Sequence, residues 1–384
     1  MTDAPPLRQR LLSIDALRGL VILFMLLDHV RETFLLHRQV GDPMNIDSTE
    51  PALFISRTLA HLCAPVFVLL TGLSAWLYGQ KYQGRRDVSA FLFKRGLFLV
   101  ALEFTLVNFA WTFQLPPSVI YLQVIWAIGV SMLALAALVW LPRPLLIVFA
   151  LLLIAGHNLL DGVHFAPGSA LQTLWSILHE RSWIDVSDNL RLRVTYPVLP
   201  WIGVIALGYG LGPWFANATP PGTRQRYLLL AGVSALVGFV VLRTINGYGE
   251  KPWQAYDAGV QTMMSFFNVT KYPPSLLFLA LTLGIGLLLL LAFERAGHRR
   301  WIEVLAVMGS VPMFFYLLHL YVLKVLYIAC VALFGLNHGN YFGFDSVGAV
   351  WLLALMLPLA LYPPVRWFAR LKDRRRDLAW LKYL

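Results

Sequence analysis

Stretches of about twenty residues free of Asp, Glu, Lys and Arg recur along this chain, and that is the length a helix needs to cross the hydrocarbon core of a bilayer. They run over 58–80, 272–293, 304–323 and 346–365. Residues 144–160, 194–215 and 226–243 supply three more apolar segments. A longer run, 104–142, is split by Gln114-Leu115-Pro116-Pro117, and its first half reaches back to about residue 91 and carries Glu103. The first span, about 12–36, is the irregular one, because Asp15, Arg18, Asp28 and His29 lie within it. The expected fold is therefore all-α: a polytopic bundle of about ten transmembrane helices, forming one integral membrane domain over 1–384. Composition agrees. The chain is 58% hydrophobic and 13% charged, against roughly 45–50% and 25% for a soluble domain. Cys63 and Cys330 both sit in apolar runs and read as buried packing residues, not as a disulfide framework.

The net charge of +11 would suit a nucleic-acid binder, but the positions of the charges argue against nucleic acid. Alternate connections, together with both termini, hold Arg8, Arg10, Lys81, Arg85, Arg86, Lys94, Arg95, Arg143, Arg224, Arg226, Arg295, Arg299, Arg300 and the basic tail from Arg366 to Lys382. The opposite side has roughly half as many, which by the positive-inside rule puts both termini in the cytoplasm. The first apolar run carries charges and leads straight into further spans, so it does not read as a cleaved signal peptide. The longest non-cytoplasmic connections, about 37–57, 161–193 and 244–271, are the places for a lid or an acceptor platform.

Ionisable groups at membrane depth mark functional sites by default. Arg18 and His29 are eleven residues apart, which at 100° per residue returns to within about 20° of the same direction after three turns, about 16 Å along the axis. Arg18, Ile22, Met25 and His29 thus share one stripe, and Asp15 can pair with Arg18 three residues on. The bland alternative is that Arg18 snorkels to the interface with Asp15 as counter-ion and that Asp28-His29 merely ends the helix. Helix nine, starting near Trp301, places His319 eighteen residues deep, level with His29. Helix two, entering near Thr58, places His61 one turn inside at the same level. Three such imidazoles could hold zinc, but the spacing has no HxxxH pattern and no metal is expected. Glu103 reads either as the buried partner of a cation such as Arg18 or as part of a proton relay. Lys271-Tyr272 sets a cation and a phenol at the outer mouth of helix eight, and Arg31 lies on the same side, so all three, with Glu103, are candidate substrate contacts. Lys81, Arg85, Arg86, Lys94 and Arg95 are candidates for the phosphates of an anionic cofactor, although positive-inside sorting accounts for them fully.

The segment Ser13-Ile14-Asp15-Ala16-Leu17-Arg18-Gly19 resembles the start of transmembrane acyltransferases of the heparan-α-glucosaminide N-acetyltransferase type. Asp28-His29-Val30-Arg31, the run Pro65 to Gly72, the run Tyr196 to Val204, Lys271-Tyr272-Pro273-Pro274-Ser275 and Phe314-Phe315-Tyr316-Leu317-Leu318-His319 are similar to the bacterial branch of that family. The Arg-x10-His spacing also looks like that of bacterial membrane sugar O-acetyltransferases. The resemblance implies acyl transfer across the membrane, from cytoplasmic acetyl-CoA or another acyl-CoA to an extracytoplasmic glycan or small-molecule acceptor, with a histidine doing the chemistry. In the lysosomal enzyme that histidine lies in the connection after helix one, where His37 is the nearer match. His29 is favoured here because a helix holds it. On this reading His29, with Asp28, His61 and His319, is the catalytic set, while Arg18, Asp15, Arg85 and Arg86 bind the cofactor. Expected partners are acyl-CoA, the acceptor, membrane lipids and, optionally, a second copy in a homodimer. The competing class is a proton-coupled small-solute transporter, which the same buried charges would suit.

Overall fold

A computed structural model describes residues 11–81, 84–375, 377, 378 and 381. Arg8, Arg10, Arg376 and Lys382, counted in the charge bias, and with them both chain ends, lie outside the described residues.

The chain is mostly helical. α1 (Leu12–Phe34) is followed by α2 (Pro51–Ala60) and α3 (Cys63–Gly79), which form one span interrupted at His61-Leu62. α4 (Arg85–Leu102) passes through a wider π turn at Glu103–Val107 into α5 (Asn108–Thr112). β1 (Val119–Leu122) precedes α6 (Val124–Leu138) and α7 (Arg143–Gly156). α8 (Ala170–Leu178) leads into the hairpin β2 (Trp183–Ser187) and β3 (Leu190–Val194). Then come α9 (Leu199–Gly210), α10 (Pro221–Ile245), α11 (Gly259–Phe267), α12 (Leu276–Ala296), α13 (Arg300–Gly309), α14 (Pro312–Phe334) and α15 (Val347–Arg374). Proline opens many of these helices, because its missing N–H falls where no intrahelical acceptor exists. Serine caps α12 and α15, with Ser275 and Ser346 accepting from the backbone N–H groups of Phe278 and Ala349.

Among the described residues, six helices are long and apolar enough to cross a membrane: Pro51–Gly79, Arg143–Leu160, Pro221–Ile245, Leu276–Ala296, Pro312–Phe334 and Val347–Arg374. Their outward side chains confirm an apolar solvent. Leu152 on α7, Val237 on α10, Leu333 on α14 and Leu352, Leu355 and Leu359 on α15 are all exposed, a belt that water would not tolerate. The span expected at 304–323 is instead two helices. Ser310-Val311 breaks it, since Pro312 cannot donate to a carbonyl one turn back.

The all-α expectation also needs correction. β1, β3 and β2 form a small sheet, with β1 parallel and β2 antiparallel to β3. It sits where α5 ends and α6 begins, at the opposite end of the bundle from the start of α1. Ile120, Leu122 and Val194 form its own small apolar core.

Glycines set the closest helix contacts. A Cβ on Gly19 of α1 would fall on the carbonyl oxygen of Leu305 in α13, and one on Gly309 of α13 on the carbonyl oxygen of Asp15 in α1. Gly72 of α3 and Gly208 of α9 meet the backbones of each other's helices in the same reciprocal way. Lipid tails are as apolar as leucine, so helices in a bilayer gain from such close backbone approach rather than from hydrophobic burial.

Candidate active site

A cavity of about 530 Å³ runs along α1 between the two ends of the bundle. Arg18, Met25 and His29 all line it, so the stripe read from the sequence is the wall of a cavity. Ile22, the fourth member, is buried beside it.

At the end where α1 begins, Arg18 donates to Asp15 Oδ1 at 3.0 Å, to the Leu70 carbonyl at 3.3 Å and to Ser74 Oγ. Asp15 lies behind it and off the cavity wall. The guanidinium thus ties α1 to α3 while facing the cavity. Arg95 of α4 and Lys372 of α15 line the same end, near Ser310 at the helix break and the stacked rings of Tyr78 and Phe91. Arg85 and Arg86 do not line the cavity, and Arg85 donates to the Trp140 carbonyl. Of the basic residues on this helix, Arg95 is the one on the cavity wall, and Lys372 joins it there. Arg95 is further along the same helix, and only the fold shows which turn faces inward.

His29 Nδ1 is 2.6 Å from His319 Nε2, with the two rings stacked at 4.9 Å between centroids. His319 Nδ1 lies 2.8 Å from the Phe315 carbonyl oxygen in its own helix. A carbonyl only accepts, so this nitrogen carries the proton. In a neutral His319, Nε2 is then the acceptor, His29 Nδ1–H is the donor, and His29 Nε2 keeps its lone pair. These tautomers follow from the bonding pattern. Trp111 and Tyr316 fix the ring edge-on at 5.1 and 6.0 Å. His319 is completely buried, behind His29 and off the cavity wall.

His61 does not join them. It is buried at the break between α2 and α3, packs on Phe278 at 5.3 Å and does not line the cavity. The helix starts at Pro51, seven residues earlier than expected, and this moves the depth estimate for His61. His37 is also elsewhere, stacked on His338 at 3.6 Å, where burial and that second imidazole lower its pKa.

Asp28 lines the cavity but does not hold the imidazole. Arg31 donates to its Oδ1 through Nε and Nη2 at 3.0 and 2.9 Å, and Arg57 of α2 reaches Oδ2 at 2.9 Å. Glu32 adds a contact to Arg31 at 3.1 Å. Glu103 is not Arg18's partner. Fully buried and off the cavity wall, it accepts from the Trp126 backbone N–H at 2.8 Å and so caps the first turn of α6.

The sheet end adds Arg181, Trp183, Arg193, Tyr121, Tyr196, Lys271 and Tyr272 to the lining. Arg193 lies over the Trp183 ring at 4.9 Å, and Arg181 over Tyr272 at 4.9 Å. Asp42 accepts from the backbone N–H groups of Lys271 and Tyr272, holding that turn against the wall. Burial raises the Asp42 carboxyl above its usual range, and Arg57 and the two N–H donors pull the other way. Arg57, Arg181 and Arg193 entered the sequence reading only as counted charges. The alternation Leu190-Arg-Leu-Arg-Val was the signal that could have found the sheet.

The family model described as heparan-alpha-glucosaminide N-acetyltransferase, catalytic, matches residues 10–242, more than half of the chain. The chain belongs to the heparan-alpha-glucosaminide N-acetyltransferase catalytic family. No curated protein matches it significantly. This family is one of transmembrane acetyltransferases. The matched segment carries Arg18, Asp28, His29, Arg31, Arg57 and the sheet, and stops before Lys271, Tyr272 and His319.

Proposed function

We propose that the protein transfers an acyl group, acetyl in the first instance, from cytoplasmic acyl-CoA to a hydroxyl or amine of an extracytoplasmic glycan or small molecule. The observation that carries this reading is one cavity wall bearing Arg18 at one end and a helix-held imidazole with an available Nε2 about 16 Å further along α1. Arg18, Arg95 and Lys372 suit the phosphates of CoA. The thioester would extend along the stripe to His29, and the acceptor would enter between Lys271, Tyr272 and the sheet.

His29 Nε2 removes the proton from the acceptor O–H or N–H as its lone pair attacks the thioester carbon. The new C–O or C–N bond forms, the C–S bond breaks, and the imidazolium returns the proton to the departing sulfur, giving free CoA-SH. Arg31, Arg57 and Lys271 supply positive charge near the carbonyl oxygen as it becomes negative.

Ten passes with both termini in the cytoplasm complete the proposal, on the charge bias given above. Cysteines introduced at Arg85 are expected to react with an impermeant label only from the cytoplasm, and cysteines at Asp47 or Asp185 only from outside; one reversed site overturns the orientation. The donor assignment has its own test. Arg18→Ala is expected to weaken CoA binding to purified protein roughly 10–100-fold, the scale of a lost hydrogen bond to a charged group. An unchanged CoA-induced thermal shift in folded Arg18→Ala protein removes Arg18 from the donor site. Absence of any CoA-ester response in the wild type, together with stabilisation by a transported solute, would replace the enzyme reading with the carrier.

A further inference from the structure

Outside the cavity, three side chains converge where α7 ends. His157 closes that helix, Asp161 follows one turn later, and His179 ends α8. His157 Nδ1 lies 3.4 Å from His179 Nε2, and His179 Nε2 lies 3.6 Å from Asp161 Oδ1. All three ligand-capable atoms are within 4.8 Å of one another. Ligands about 2.0–2.1 Å from a tetrahedral zinc ion are separated from each other by about 3.3 Å. The first two separations are therefore already those of a metal's coordination edges.

We propose that His157, Asp161 and His179 bind a divalent transition-metal ion of the zinc type. Two imidazole nitrogens and one carboxylate oxygen favour zinc over calcium or magnesium, which prefer all-oxygen sites. His157 and His179 are buried, while Asp161 is exposed, so a fourth position on the solvent side is open to water. The surroundings orient the ligands. Asn158 Nδ2 donates to Asp161 Oδ2 at 3.0 Å, leaving Oδ1 toward His179, and Asn158 Oδ1 is itself held by the Leu276 N–H at the start of α12. Trp175 stacks on the His179 ring at 5.0 Å. In the metal-free protein His179 Nε2 is 2.9 Å from the His157 carbonyl. Metal binding replaces that hydrogen bond and moves the ring proton to Nδ1.

None of the three ligands lines the cavity, so the ion would sit apart from the candidate acyl-transfer centre. It joins the end of α7 to the end of α8, two residues before Arg181 and four before Trp183, which do line the cavity mouth. The site stands independently of the acyl-transfer reading.

The test uses full-length protein purified without a histidine tag, stripped with chelator and re-equilibrated with zinc, then analysed by elemental mass spectrometry and thermal denaturation. About one zinc per chain is expected, with a rise in Tm that magnesium and calcium do not reproduce. Asp161→Ala removes an exposed side chain, so its fold is not at issue, and it should lose at least about tenfold in zinc affinity. His179→Ala should abolish binding. His164→Ala serves as the neighbouring control, since His164 pairs with Glu180 at 3.6 Å outside the proposed ligand set, and it should bind as the wild type does. Substoichiometric zinc in the wild type, or equal zinc in wild type and Asp161→Ala, overturns the site.

Discussion

His29→Ala is expected to lower acyl transfer by about 10²–10⁴-fold, the range for loss of a general base, while the protein folds and still responds to CoA. The imidazole acts in the transition state, so ground-state binding of the donor survives its removal. His319 is a positioning residue with a distinguishable signature. His319→Gln keeps an oxygen able to accept from His29 Nδ1–H and should restore much of the rate that His319→Leu loses. A merely space-filling role would favour leucine at least as well as glutamine. His37→Ala should be nearly neutral, because its ring is stacked on His338 and off the cavity wall. Steady-state transfer rates on the four variants, each checked for its CoA-induced thermal shift, decide the matter. An inactive His37→Ala beside an active His29→Ala would move the chemistry into the loop.

The second large effect is on stability. Asp28 is shared by Arg31 and Arg57, whose side chains are only 3% and 6% exposed. Asp28→Ala leaves two buried guanidiniums with Glu32, at 3.1 and 3.8 Å, as the carboxylate within ion-pair distance among the described residues, and should destabilise the protein by about 3–5 kcal/mol. The exposed pair Arg191–Asp185 is the natural comparison, since breaking a solvent-exposed pair typically changes stability by less than about 1 kcal/mol. Thermal denaturation in one detergent would compare Asp28→Ala with Asp185→Ala directly. Similar losses in both would mean that water reaches the Asp28 cluster. Glu103→Gln, by contrast, keeps an oxygen to cap α6 and should be much milder than Asp28→Ala in the same assay.

The stripe on α1 was legible because helical periodicity fixes azimuth within one helix, and Arg18, Met25 and His29 are all on that helix. What lies across from the stripe was not legible. Depth counting placed His319 beside His29, yet the same counting misplaced His61, because hydropathy does not register that the span begins at Pro51 and breaks at His61-Leu62. Charge counting carries no direction around a helix, so it could not separate Arg95, which lines the cavity, from Arg85 and Arg86, which do not. The sheet was hidden differently. Val119-Ile120-Tyr121-Leu122 runs almost directly into the apolar helix that follows, and the alternating β2 and β3 are five residues each, too short to stand out beside twenty-residue spans. Arg57 entered only as a counted charge because its partner, Asp28, is 29 positions away in the chain.

The bond from His319 Nδ1 to the carbonyl of Phe315 also bears on conduction. A proton can hop along a chain of groups only if each can both take one up and release one, and a backbone carbonyl has none to release. While that bond holds, His319 has no second basic nitrogen through which to pass on a proton arriving from His29. Vectorial proton coupling by this pair, as a carrier would require, would have to break that bond at each cycle. Acyl transfer needs no such break, since the proton lifted from the acceptor goes back to the sulfur from the same nitrogen, and the turnover closes without net movement of charge across the bilayer.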